Sequence, residues 1–74
     1  METAKRIVCD PAILGGKPVV RGTRIPVAMV VRRYAAAHCH FETLLADWPN
    51  LTHEDLEACL VFAAEGVEHV AAIA

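Results

Sequence analysis

Serine is absent from the 74 residues of this chain, which excludes any Ser-His-Asp arrangement. No lysine or arginine follows Arg33. Neither a GxGxxG nor a GxxxxGK(S/T) run occurs, and Gly15-Gly16-Lys17 is too short for a phosphate loop and leads into no helical pattern. Cys9, Cys39 and Cys59 form an odd, unevenly spaced set without CxxC, so reduced thiols in a cytoplasmic compartment are expected. The polar start METAKRIVCD lacks the apolar stretch of a secretory signal. No apolar run approaches the ~18–20 residues needed to cross a bilayer. These absences lead us to expect a cytoplasmic protein that is not an enzyme, carries no cofactor, metal or membrane anchor, and acts by binding.

What is plentiful is apolar surface. The apolar share is 55%, against roughly 45–50% in an ordinary globular domain. A chain this short buries only about 60% of its unfolded surface, so a homodimer or a permanent partner is expected to cover the remainder. Charge is divided just as unevenly. Residues 1–37 hold all seven bases against Glu2 and Asp10, a formal +5, whereas residues 38–74 hold seven acids and no Lys or Arg, a formal −7. All four histidines fall in the acidic half. Such asymmetry between halves points to interaction surfaces.

The pattern along the chain predicts one domain over 1–74, with a short β arm or hairpin over 1–24 and a three-helix bundle over 25–74. Arg6-Ile7-Val8-Cys9 reads as a short strand ending at Asp10-Pro11, and Val19-Val20 as a second, joined through the glycine turn at Leu14–Pro18. Pro26 suits the first position of a helix running to about Ala36, with Val27, Val30, Val31 and Tyr34 on one face. A second helix fits Phe41–Trp48, stopped by Pro49-Asn50. Thr52 and Asp55 resemble a capping box that opens a third helix near His53. Leu56, Cys59, Leu60, Ala63, Val67, Val70 and Ala74 mark its apolar side, as core or dimer seam. Gly66 invites a bend or break at about 1 kcal/mol relative to Ala.

Ile7–Pro11, the thirteen-residue run GGKPVVRGTRIPV over residues 15–27, and Trp48–Leu56 together resemble the prokaryotic family known as domain of unknown function 433. The resemblance covers nearly the whole chain. It implies a mainly α, homeodomain-like or helix-turn-helix bundle with a short N-terminal β element. It also implies a VapB-like antitoxin, since members are often encoded beside a small PIN-like nuclease. One departure stands out: the family's usual glycine between the first two helices is replaced by the run Ala37-His38-Cys39-His40.

Lys5, Arg6, Lys17, Arg21, Arg24, Arg32 and Arg33 are therefore the candidate contacts to nucleic acid or a partner, set against the plainer possibility of solvated surface that balances the acidic helices. A recognition helix would begin at Thr52-His53-Glu54-Asp55-Leu56-Glu57, where three carboxylates would repel phosphates. The basic N-terminal half should then make any DNA contact. Adjacent His38, Cys39 and His40 point in different directions and suit loop surface better than a metal site. Tyr34, Phe41 and Trp48 are expected in the core. Two functions follow as expectations: an antitoxin that inhibits a PIN-like ribonuclease toxin and autoregulates on operator DNA, or a stand-alone homodimeric DNA-binding regulator with no toxin.

Overall fold

The computed structural model describes the backbone of residues 3–73 and the side chains of residues 5–68. A single helical turn, α1 (Thr3–Arg6), leads directly into β1 (Ile7–Val8). A 3-10 turn at Leu14–Gly16 precedes β2 (Val19–Val20), and three longer helices follow: α2 (Val27–Ala36), α3 (Phe41–Asp47) and α4 (His53–Ile73). The protein is thus mainly helical with a two-stranded antiparallel element near its N-terminus. Ile7 pairs with Val20 and Val8 with Val19. The expected strand over residues 6–9 is shorter than its β-branched pattern suggested, because Arg6 closes α1 instead of opening β1.

Prolines and caps set the helix boundaries. Pro26 is the N-cap of α2, with an extended ψ of 143°, one position earlier than the sequence pattern placed it. Its carbonyl accepts from the Met29 and Val30 amides, so a residue with no N–H of its own still closes the first turn. Trp48 ends α3 just before Pro49. At α4 the capping box forms reciprocally: the Thr52 amide donates to Asp55 Oδ2 at 2.9 Å, and the Asp55 amide to Thr52 Oγ1 at 3.2 Å.

The α2–α3 turn resolves the missing glycine. The Cys39 amide donates to the Tyr34 carbonyl at 2.9 Å and the His38 amide to the Ala35 carbonyl at 3.2 Å, the paired bonds of a Schellman motif. His38 occupies the position that glycine normally takes, at φ 55°, and Cys39 follows at φ 66°. Two side-chain-bearing residues therefore sit in the left-handed region, each at a cost of about 1–2 kcal/mol.

Ile7, Val20, Val27, Val30, Leu44, Leu51, Leu56, Ala58 and Cys59 form the core. Tyr34, Phe41 and Trp48, expected in the core, are instead half-buried and pack against its outside. Tyr34 and Phe41 meet at 5.2 Å between ring centroids, and His53 stands edge-on to Phe41 at 5.5 Å. The apolar side of α4 departs from its pattern. Leu56 and Cys59 are buried, but Leu60 and Ala63 are only half-buried and Val67 is 67% exposed. Val70 and Ala74 lie outside the described side chains. The helix runs through Gly66 without a break, yet residues 64–68 are exposed on every side. More than a full turn of α4 extends past the core that holds its first turns.

Candidate functional site

Two surfaces stand out, and the Val19–Pro26 segment links them. The first is the tight turn Val20–Ile25. The Thr23 amide donates to the Val20 carbonyl at 3.0 Å, and Gly22 at φ 77° supplies the positive dihedral that the third residue of a type II turn requires. The Thr23 hydroxyl donates to the same carbonyl at 2.7 Å and accepts from the Ile25 amide at 3.0 Å. Across the turn's base the Val20 amide donates to the Ile25 carbonyl at 3.0 Å. Every one of these bonds restrains the backbone, so the turn is pre-organised. Arg21 and Arg24 flank it, both exposed.

The second surface lies at the other end of the segment, where the Val27 amide donates to the Pro18 carbonyl at 2.9 Å. There the start of α2 and the Phe62–Gly66 stretch of α4, where its packing runs out, line a groove of about 670 Å³. Pro18, Val27, Met29, Phe62, Ala63 and Gly66 line it, together with the exposed cations Lys17 and Arg32. Met29 is 44% exposed, high for a large apolar side chain beside a core helix.

The seven basic candidates are not one patch. Arg6 donates through Nη1 to Asp55 Oδ1 at 3.0 Å, and Asp55 is 15% exposed. Arg33 pairs with Asp47 and lies 5.4 Å from the Trp48 ring centroid, bracing α2 against α3. Lys5, exposed on α1, is also held by an interaction within the chain. These three serve the fold at least in part. Lys17, Arg21, Arg24 and Arg32 are exposed and make no ion pair among the described residues. Charge counting could not make this division, because the pairing of Arg6 with Asp55 spans 49 positions. Sequence reasoning also missed the groove. Its one signal was Gly66, read as a helix defect and now seen as part of a wall.

The start of α4 presents His53, Glu54 and Glu57 to solvent, while Asp55 is turned inward to Arg6. Among the described residues no three or more His, Cys, Asp or Glu side chains converge as a metal ion requires. Cys9 and Cys39 are exposed free thiols, and Cys59 is buried. Burial, with a smaller push from the Asp55 carboxylate, lifts the Cys59 thiol to about 11, so it stays protonated and inert. No helix among the described residues is long and apolar enough to cross a membrane.

The family model for protein of unknown function DUF433 matches residues 7–63, from β1 through the packed part of α4. The chain belongs to the DUF433 family. A crystal structure of a DUF433 member protein from Anabaena variabilis aligns with a TM-score of 0.76 and 35% identity, covering 89% of this chain and 64% of that one. The uncharacterized protein y4eO of Sinorhizobium fredii is 44% identical over 64 residues, 85% of this chain. The chain spans only 28% of that relative's length. The DUF433 match contains both the arginine turn and most of the groove lining, and it stops three residues before Gly66.

Proposed function

We propose that this chain is an antitoxin-like binding protein that holds a cognate PIN-like ribonuclease and inhibits it by direct contact. The support is the Val20–Ile25 turn, where hydrogen bonds fix the backbone around two exposed arginines that make no ion pair among the described residues. A PIN-like nuclease gathers carboxylates to hold Mg²⁺. Guanidinium groups are the side chains best matched to carboxylates, through paired, planar hydrogen bonds. Arg21 or Arg24 entering such a cluster would occupy the oxygens that otherwise bind metal or substrate. A turn already ordered before binding loses little entropy in doing so.

Autoregulation on operator DNA belongs to the same proposal. Lys17, Arg21, Arg24 and Arg32 would supply the phosphate contacts, and the start of α4 would not act as a recognition helix, because Glu54 and Glu57 face outward there. Four phosphate contacts per chain give a slope of about −0.9 per charge in log affinity against log salt.

Co-expression of the tagged chain with its adjacent reading frame tests the proposal. A stoichiometric complex in which the neighbour's RNA cleavage is suppressed is the expected result. A chain that elutes without the neighbour and leaves its activity intact overturns the toxin part, leaving DNA binding as the function to measure.

A further inference from the structure

Residues 64–68 of α4 are exposed on every side, and they include Gly66, the poorest helix former after proline. A helical segment in water without packing is marginal even with good helix formers. Gly66 is not required by this chain's own packing, since a Cβ built there meets nothing within 4 Å. It does line the groove, where the lack of a side chain lets another backbone come close. Met29 and Val67, 44% and 67% exposed, lie at the groove and on the same turn of α4 as Gly66.

Charge identifies the occupant. Lys17 and Arg32 line the groove, are exposed, and make no ion pair among the described residues. The turns of α4 around Gly66 carry exposed Glu65 and Glu68, and residues 38–74 contain no lysine or arginine. We propose that the groove receives α4 of a second copy of this chain, with Lys17 and Arg32 of each copy facing Glu65 and Glu68 of the other. Because α4 is both a wall of the groove and its occupant, a two-fold axis covers both overhanging helices at once. That self-complementarity is what an isologous dimer requires. The proposal uses none of the Arg21–Arg24 turn and stands apart from the antitoxin function.

Sedimentation equilibrium of the purified chain over a wide concentration range is the test, with three variants beside it. The expected species is a dimer of this 8.0 kDa chain. Gly66→Leu should dissociate it by filling the groove, while helix content and thermal stability at high dilution hold or rise, since a Cβ at this position meets nothing within 4 Å and leucine is the better helix former. Arg32→Glu should weaken association by about tenfold or more, and Arg32→Glu with Glu68→Arg should recover most of the loss. A chain that stays monomeric at every concentration overturns the proposal. So does a dimer that Gly66→Leu and Arg32→Glu leave unchanged, whether or not a nuclease then binds the groove.

Discussion

Arg6 and Asp55 lie 3.0 Å apart, and one carboxylate performs two tasks there. Asp55 Oδ1 accepts from Arg6, at the junction of α1 and β1, while Oδ2 accepts from the Thr52 amide and closes the capping box of α4. The Arg6 carbonyl in turn accepts from the Arg21 amide at 2.7 Å. The N-terminal strand pair, the arginine turn and the start of α4 are thereby joined at one place. Asp55→Ala should cost about 2 kcal/mol, made of roughly 1 from the cap and the rest from a partly exposed ion pair. Arg6→Ala removes only the pair and should cost about 1 kcal/mol or less. Urea unfolding midpoints of the two variants check that order.

Relief of the left-handed residue after α2 should stabilise the protein. His38 holds φ 55° in the position where a glycine carries no Cβ penalty. His38→Gly is expected to raise stability by about 1 kcal/mol, net of the entropy glycine adds to the unfolded chain. A melting temperature that falls would show that the His38 side chain contributes more than its backbone loses.

The core ends sooner along α4 than its apolar spacing suggests. Leu56 is fully buried, so Leu56→Ala should cost about 2–5 kcal/mol, enough to unfold most of the population in so small a domain. Leu60, half-buried, should lose less on truncation to Ala, about 1–2 kcal/mol. Circular dichroism melts of the two proteins distinguish the two positions.

That contrast shows what the sequence makes legible. Helix boundaries follow from local chemistry: Pro26, Pro49 and the Thr52–Asp55 box each act within a turn of themselves, and the start of α2, the end of α3 and the start of α4 fall within a residue or so of where they place them, whereas α1 carries no such signal. The absent glycine between α2 and α3 is legible only through the family resemblance, and the structure assigns its position to His38. Burial is not local. Leu56, Leu60, Ala63 and Val67 repeat at helical spacing, but nothing in the repeat says that the packing partners run out near Ala63. Nor does a count of basic residues reveal that Arg33 belongs to Asp47 and Trp48, leaving Arg32 beside it at the groove. Charge reversal at both would therefore confound fold with binding, and Arg32 is the informative position of the two.

Cysteine chemistry separates by burial. In the native protein Cys9 and Cys39 should react promptly with a thiol reagent, and Cys59 only on unfolding. The Cys59 thiol is raised from an ordinary 9.0 to about 11. The folded state therefore favours the protonated form, and its contribution is whole below pH 9 and is lost as pH rises from 9 through 11. Unfolding midpoints should decline over that window. Cys59→Ala should be less stable throughout, with a flatter alkaline decline.

Inhibition of the proposed partner, a PIN-like nuclease encoded in the adjacent reading frame, by the wild-type chain and by Arg21→Glu with Arg24→Glu is the most direct test of the functional account. Both residues are exposed and take part in no ion pair among the described residues, so the fold should survive the change. The account predicts that the wild-type chain suppresses RNA cleavage and that the doubly reversed chain, equally folded, restores it. Full inhibition by the reversed chain would contradict the arginine turn as the inhibitory element.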